Sequence, residues 1–251
     1  MSELLKQINV LYVEDDDNIR PLLQKALERR VKKLYVAKDG REGYEMFLEH
    51  SPDIILTDIK MPRLNGIEMS RMIKTIKSDI PIIVLSAHSE ANFFLECIEL
   101  GIDAYLLKPI DKEKLLNILC VNAKVVLFEK EKEKYEKTLE TMIDLHPSII
   151  FSCKENTRIL FVNKIFLDFF QNNNDESVEY LYDKLKNSKN VTIKGITEDV
   201  FWVDYIFLHP KEVFNIIISK DNIETEFIVK RKLIINEKED ENLMIITLTQ
   251  I

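Results

Sequence analysis

Charged and polar residues directly follow several short apolar segments in the sequence of this 251-residue chain. Glu14 and Asp15 follow the segment INVLYV, and Asp58 follows the segment DIILT. Two further segments, PIIVL and AYLL, lead into Ser86 and Lys108. A short apolar run bounded by turn residues predicts a buried strand, so these polar side chains are expected at strand ends.

These residue types together suit one kind of chemistry. Neighbouring carboxylates repel one another unless a cation lies between them, and hard oxygen ligands that leave room for water suit Mg²⁺. A carboxylate beside Mg²⁺ and an ammonium group is what in-line phosphoryl transfer requires, because the cations neutralise the charge that develops. The pattern therefore indicates a phosphoryl-transfer site.

Five apolar segments alternate with helix-like segments in the first half of the chain. The apolar segments are INVLYV, KLYVA, DIILT, PIIVL and AYLL. Between them, apolar residues recur at helical spacing, as in Ile67, Met69, Met72, Ile73 and Ile76. This alternation predicts a doubly wound, flavodoxin-like sheet of five parallel strands, with ligands bound beyond the carboxyl ends of the strands.

The order and spacing of these motifs resemble the receiver domain of two-component response regulators, over residues 4 to about 122. The matching motifs are Glu14-Asp15, TDIKMPRLNG around Asp58, LSA with Ser86, and YLLKP with Tyr105 and Lys108. The resemblance implies a signalling protein of a phosphorelay. Such a protein is not an enzyme in the usual sense, since it catalyses only its own phosphorylation and dephosphorylation.

The resemblance also implies roles for the acidic residues. Asp58 would be the phosphoacceptor, taking the group from a sensor histidine kinase or a phosphotransfer protein. The Mg²⁺ ligands would be Asp15, Asp58 and the backbone carbonyl of Lys60, with Glu14 acting through water. Asp16–Asp17 begin the next predicted helix and are interpreted as caps rather than ligands.

Three further residues would complete the site. Lys108 would pair with the phosphoryl group, and the peptide bond to Pro109 is expected to be cis. Ser86 and Tyr105 would be the switch pair. The serine hydroxyl would move toward the phosphoryl oxygen, and the tyrosine ring would rotate into the vacated space.

A charged helix is predicted from about residue 111 to residue 146. Apolar residues follow a three-four repeat that only Lys132 interrupts: Ile118, Val121, Val125, Phe128, Tyr135, Leu139 and Met142. Glutamates precede lysines at three- and four-residue offsets, which supports a helix. The repeat is typical of a short coiled coil, so we expect a linker at residues 123–146 that forms a parallel homodimer. A solitary solvated helix is the alternative.

From Ile149 the pattern changes to β-hairpins. SIIFSCKENTRILFVN contains two apolar runs around a turn at 155–157, and a helical segment follows. TEFIVKRKLIIN and LMIITLTQI form a second predicted hairpin, around a turn at 237–242. The arrangement resembles a PAS domain at residues 147–251, an α+β fold with an antiparallel sheet. PAS domains bind haem, flavin, other small ligands or nothing, and we expect no cofactor here.

Composition disfavours several classes of protein. The net charge is −8 and the sequence pI is about 5.2, and no helix-turn-helix with a basic face is visible, so we expect no direct DNA contact. No apolar run has the length of a membrane span and no signal-peptide pattern is present, so a cytoplasmic location is expected. Cys97, Cys120 and Cys153 lack a metal-binding or disulfide spacing and are expected to be buried thiols.

Together these patterns predict a response regulator. Phosphorylation of Asp58 would switch the linker and the PAS-like module, which dimerises or binds a partner. One alternative is the N-terminal regulatory part of a larger signalling enzyme, a histidine kinase or cyclic-dinucleotide synthase, since the sequence ends directly after a predicted strand. Another is a binding module that never turns over phosphate.

Overall fold

The five strands predicted in the first half form one parallel sheet. The structure, a computed structural model, describes residues 2–87, 91–154, 158–170, 191–196, 202–203, 205, 209, 213–220, 223–234 and 243–251. The sheet contains β1 (Asn9–Val13), β2 (Lys33–Ala37), β3 (Ile54–Asp58), β4 (Ile82–Ser86) and β5 (Ala104–Leu107) in the order β2-β1-β3-β4-β5. This is the order of flavodoxin-like doubly wound folds, which confirms the predicted fold class of this half.

Helices cover both faces of this sheet. They are α1 (Ser2–Leu5), α2 (Arg20–Glu28), α3 (Gly40–His50), α4 (Gly66–Ile76), α5 (Ala91–Glu99) and α6 (Lys112–Asp144). Side chains alternate along β1. Val10 and Tyr12 pack with α2 and α6, whereas Leu11 and Val13 pack with α3 and α4. Because both faces are covered, the strands are apolar throughout, as expected for a parallel sheet.

A capping box and a glycine determine where α4 begins. The Asn65 side chain accepts the backbone N–H of Glu68 at 2.8 Å, and the Glu68 side chain accepts the N–H of Asn65 at 3.4 Å. This box satisfies N–H groups that the first helical turn leaves free. A Cβ atom at Gly66 would lie 1.9 Å from the backbone oxygen of Asp58. Only glycine therefore lets α4 start against the end of β3.

α6 is one continuous helix of 33 residues, consistent with the absence of a stop signal near residue 122. Its first half packs on the sheet through the buried side chains Leu115, Leu119 and Ala123. Further along, Nζ of Lys130 lies 2.5 Å from Oδ1 of Asp53, a buried residue directly before β3. A separate line of side chains on α6 is between 56% and 66% exposed: Val121, Val125, Phe128, Tyr135, Leu139 and Met142.

The chain divides into two compact units, Met1–Lys134 and Tyr135–Ile251. The second contains β6 (Ile149–Lys154), β7 (Arg158–Val162), α7 (Lys164–Phe170), β8 (Val191–Ile193), β9 (Phe214–Lys220), β10 (Ile223–Ile234) and β11 (Leu243–Gln250). Its strands form one antiparallel sheet in the order β7-β6-β11-β10-β9-β8. β6 pairs with β7 and β10 pairs with β11, as the two hairpin patterns predict. The predicted turns at 155–157 and 237–242 lie outside the described residues.

Asn163 binds four backbone groups from three segments of the second unit. Its Oδ1 atom accepts the N–H groups of Ile150 at 2.9 Å and Phe166 at 3.1 Å. Its Nδ2 atom donates to the carbonyls of Ser148 at 2.9 Å and Ile143 at 3.2 Å. The residue is fully buried, so these bonds replace the water that its amide would otherwise bind. The end of α6 is thereby held to the starts of β6 and α7.

Two smaller expectations concern thiols and membrane spans. Cys97, Cys120 and Cys153 are buried thiols that form no disulfide, which confirms the predicted state. None of the helices in the described part of the chain combines the length and hydropathy that a membrane span requires.

Candidate functional site

Four charged side chains meet beyond the carboxyl ends of β1, β3 and β5. Glu14 and Asp15 follow β1, Asp58 ends β3 and Lys108 follows β5. Nζ of Lys108 lies 2.5 Å from Oδ2 of Asp58 and 2.7 Å from Oε2 of Glu14. The Lys108–Pro109 peptide bond is cis, as expected. The structure therefore brings together the charged residues that the sequence assigns to one site.

The acidic residues of this site are close enough to share a cation. Carboxylate oxygens of Glu14, Asp15 and Asp58 lie within 4.8 Å of one another. Such oxygens suit Mg²⁺, which needs only one or two protein carboxylates and keeps several waters, so the donor set fits the predicted ion. Lys60 lies in the loop after β3, and its Nζ atom is 5.4 Å from the ring centre of Phe93. The expected use of its backbone carbonyl as a ligand stays a prediction.

Burial and mutual contact shift the protonation equilibria of the site. Burial raises the pKa of Glu14, although hydrogen bonds from Lys108 oppose the shift. Burial alone would lower the pKa of Lys108, but hydrogen bonds to Asp58 and Glu14 outweigh it, so its pKa is raised and it remains a cation at neutral pH. The buried hydroxyl of Tyr12 donates to Oε2 of Glu14 at 3.3 Å, and burial beside this carboxylate raises the tyrosine pKa.

The two predicted switch residues lie on β4 and β5. Ser86 ends β4 and is 1% exposed, and its carbonyl accepts the N–H of Lys108 at 2.8 Å. Tyr105 lies in β5 and is half-buried, with its ring edge-to-face against Phe94 at a centroid distance of 5.8 Å. Both side chains are thus near the end of the sheet where the charged residues meet. Their movement as a pair stays a prediction.

An arginine that the sequence analysis missed supports the loop after β1. Nη1 of Arg20 donates to the carbonyls of Glu14 at 2.8 Å and Asp15 at 3.1 Å. A basic residue in the first turn of the helix that follows an acidic pair is the sequence signal for this contact.

Asp16 and Asp17 do not cap α2 as interpreted, because the N-cap position is Ile19 and no side chain caps it. Oδ1 of Asp16 accepts the N–H of Asn18 at 2.7 Å in the turn before α2, and Asp17 pairs with Arg20.

The family of this half of the chain follows from a comparison with family models. The model described as "Response regulator receiver domain" matches residues 10–120. Residues 10–120 form a response regulator receiver domain. The match includes every residue of the site and confirms the predicted resemblance over that range. It does not extend to residues 147–251 of the chain, where the resemblance to a PAS domain stays a prediction.

Curated relatives match the receiver domain over about a hundred residues. The response regulator MprA of Mycolicibacterium vanbaalenii is 34% identical over 109 residues, which are 43% of this chain and 47% of that protein. The transcriptional regulatory protein CseB of Streptomyces coelicolor is 41% identical over 105 residues, which are 42% of this chain and 44% of that protein. The chain thus spans less than half the length of either relative.

Two solved structures also resemble part of the chain. The N-terminal domain of a protein from Wolinella succinogenes has 38% sequence identity, and the match covers 49% of this chain and 98% of that one, with a TM-score of 0.47. The chemotaxis protein CheY4 of Vibrio cholerae has 27% identity, with 45% and 96% covered and a TM-score of 0.43.

Proposed function

We propose that Asp58 of the receiver domain accepts a phosphoryl group from a phosphohistidine of a sensor histidine kinase or a phosphotransfer protein. The observation that carries this proposal is the 2.5 Å contact between Asp58 and Lys108 beside the acidic residues Glu14 and Asp15. A carboxylate next to a cation and an acidic metal site is the arrangement that phosphoryl transfer to oxygen uses. The domain then acts as a signalling receiver.

The transfer forms one bond and breaks another. A carboxylate oxygen of Asp58 attacks phosphorus, and the bond from phosphorus to the histidine nitrogen breaks with its electron pair moving to the imidazole. The product on Asp58 is an acyl phosphate. Asp15, Asp58 and the carbonyl of Lys60 would hold Mg²⁺, with Glu14 acting through water, and the bound ion would neutralise the phosphoryl charge. Lys108 exchanges its contact with Asp58 for one with a phosphoryl oxygen.

Phosphorylation shifts an existing equilibrium of the receiver domain. The Ser86 hydroxyl turns toward the new phosphoryl oxygen, and the ring of Tyr105 occupies the space that it leaves. The face formed by α5, β5 and α6 repacks as a result. Phe94, Leu95 and Ile98 of α5 are more than half exposed, which supports α5 as part of a surface that changes its contacts.

Intact-mass spectrometry after incubation with a small phosphodonor and Mg²⁺ tests the acceptor. The wild-type chain should gain one phosphoryl group, and Asp58→Asn should gain none. Asp16→Asn is the matched control, because it alters a neighbouring carboxylate outside the acidic cluster and should still be modified. Modification of Asp58→Asn would mean another acceptor. No gain by the wild type would favour a binding module that never turns over phosphate.

We further propose that α6 pairs in parallel with α6 of a second copy of the chain. The exposed line on α6 has the 3.5-residue period that a two-stranded coiled coil buries. In heptad terms Val125, Lys132 and Leu139 occupy a positions, and Val121, Phe128, Tyr135 and Met142 occupy d positions. Parallel pairing brings Lys124, at a g position, near Glu129 at an e position of the second copy. The next such pair, Glu131 at g and Glu136 at e, carries like charges, so the charge pattern alone does not select the parallel orientation.

Disulfide cross-linking at one a position tests the orientation. Two copies of Leu139→Cys should form an interchain disulfide on mild oxidation, because a positions face each other in a parallel pair. Lys137→Cys lies on the outer face of the same helical turn and should not cross-link. Light scattering with and without beryllofluoride then reports whether activation changes the mass of the particle. A monomer under every condition would contradict the pairing.

The C-terminal unit is proposed as a PAS-like module that receives the change from α6. Its opening hairpin β6–β7, the helix α7 and the closing pair β10–β11 support this assignment. The expectation that it binds no cofactor stays a prediction. The absorption spectrum of the purified chain tests it, because bound haem or flavin absorbs visible light.

A second candidate function is the regulatory part of a larger signalling enzyme, such as a histidine kinase or a cyclic-dinucleotide synthase. An in-frame continuation of the parent gene that encodes a catalytic domain would support this candidate.

The expectation of no DNA contact is not supported by the comparisons, since CseB is named a transcriptional regulatory protein. A gel-shift assay of the full chain with duplex DNA tests that point.

A further inference from the structure

The loop between β3 and α4 is anchored at both of its ends. Oδ1 of Asp58 accepts the N–H of Ile59 at 2.5 Å, and the carbonyl of Ile59 accepts the N–H of Gly66 at 2.8 Å. Lys60, whose carbonyl is a proposed ligand, lies inside this closed loop. A contact between the middle of this loop and a neighbouring element would fix the position of the Lys60 carbonyl.

Arg63 makes the side contact. Its guanidinium forms an ion pair with Oδ2 of Asp39, the residue directly before α3. Asp39 is 0% exposed, and its Oδ1 accepts the N–H groups of Arg41 at 2.8 Å and Glu42 at 3.0 Å. One carboxylate thus caps α3 with one oxygen and binds the loop with the other. The acidic partner of this pair is withdrawn from solvent, whereas the Arg63 side chain is 57% exposed.

The backbone next to this ion pair is equally constrained. The N–H of Gly40 donates to the carbonyl of Leu64 at 3.1 Å, and a Cβ atom at Gly40 would lie 2.3 Å from the same oxygen. Arg63 itself has a φ of 69°, in the left-handed region that non-glycine residues rarely adopt. Such a conformation persists where the surroundings demand it, and here the contacts to Asp39 and Gly40 do so.

We propose that Arg63 is a positioning residue for the Mg²⁺ site, acting through the loop that carries the Lys60 carbonyl. The inference rests on the proposed function of the receiver domain. Mg²⁺ demands nearly ideal octahedral geometry, so a small displacement of one ligand weakens binding. Residues that orient metal ligands without touching the metal commonly change affinity by an order of magnitude when they are replaced.

A Mg²⁺ titration of the full chain, followed by proton–nitrogen NMR of the loop amides, tests this role. Arg63→Met keeps a long side chain, and residue 63 still has to adopt the left-handed backbone conformation, but the cation is lost. This variant should weaken Mg²⁺ binding roughly tenfold. Arg63→Lys keeps the charge and should bind nearly as well as the wild type. Should the methionine variant not fold, Arg63→Gln takes its place in the same comparison.

Lys130→Met is the matched control. It also removes the cation from a buried aspartate, since Asp53 pairs with Lys130 through Oδ1 and accepts the N–H of Asn9 through Oδ2. Asp53 lies at the opposite end of β3 from Asp58, so this variant should lose stability but bind Mg²⁺ like the wild type.

The outcomes separate the inference from the proposed function. Weaker binding by Arg63→Met alone supports the positioning role. Equal affinity in Arg63→Met and the wild type, or an equal loss in Lys130→Met, overturns it while the proposed function stands. If the wild type binds no Mg²⁺, both the positioning role of Arg63 and the proposed function are contradicted.

Discussion

The ammonium group of Lys108 bridges two carboxylates, with Nζ 2.5 Å from Oδ2 of Asp58 and 2.7 Å from Oε2 of Glu14. Only 11% of the lysine side chain and 12% of the Asp58 side chain is exposed. A cation in this position offsets the repulsion between the acidic residues when no metal is bound. Lysine and Mg²⁺ therefore act on the same carboxylates, and the stability of the receiver domain should depend on both.

Lys108→Met should lower the free energy of unfolding of the receiver domain by about 2 kcal/mol in the presence of EDTA, because two mostly buried carboxylates lose their charged partner. Mg²⁺ should restore part of this loss, since a ligand that binds the folded state stabilises it. Chemical denaturation followed by circular dichroism measures both values. Lys74→Met is the control, as its Nζ lies 3.8 Å from Oδ2 of Asp103 in a weaker pair. An equal loss in the two variants would contradict the special role of Lys108.

As the pH is lowered, the affinity for Mg²⁺ should begin to fall at a higher pH than it would at a site of carboxylates with ordinary pKa values. Burial raises the pKa of Glu14 above the usual value of about 4.3. Metal binding needs the ionised form, so affinity is full above this raised pKa and is lost as the pH falls through it. Calorimetric titrations from neutral to acidic pH measure the effect. Glu14→Gln should bind more weakly at neutral pH and lose this part of the pH dependence, and an unchanged profile would refute the assignment.

Replacing Lys132 by leucine should strengthen the proposed dimer, because a charged residue at an a position costs stability in the apolar seam. The dissociation constant should fall roughly tenfold, which corresponds to about 1.4 kcal/mol. Light scattering over a dilution series measures it. Leu139→Glu is the opposite change and should yield monomers. A dimer that survives Leu139→Glu would place the interface elsewhere.

Asn163→Ala should destabilise the second unit by about 3 kcal/mol, because two buried and two partly buried backbone groups would be left without the amide. The fluorescence of Trp202 reports this loss during urea unfolding, since it is the single tryptophan of the chain and lies in the core of that unit. Asn215→Ala is the matched control. The Asn215 side chain donates to Oε1 of Glu226 at 2.8 Å in a partly exposed pair, so its removal should cost much less.

The sequence predicts the parallel sheet and the meeting of Glu14, Asp58 and Lys108 well. The reason is physical: strands buried on both faces are apolar throughout, and the carboxyl ends of parallel strands lie at one edge. The ion pair of Arg63 with Asp39 was not predicted, because it joins residues from two loops and neither position carries a periodic signal. β8 was missed because residues 171–215 show no clear alternation, and β9 begins only at the end of that stretch, at Phe214.

The pairing of Lys130 with Asp53 has a consequence for how the receiver domain can be studied in isolation. A polypeptide cut at residue 122 would lose Ala123, Val126 and Leu127, which pack against the core, and would leave the buried carboxylate of Asp53 without its cation. Such a fragment should aggregate or have a low melting temperature, whereas a fragment that ends at Lys134 should be folded and soluble. The helix that leaves the domain is thus also one of its structural supports, and the C-terminal boundary chosen for a fragment decides whether it folds.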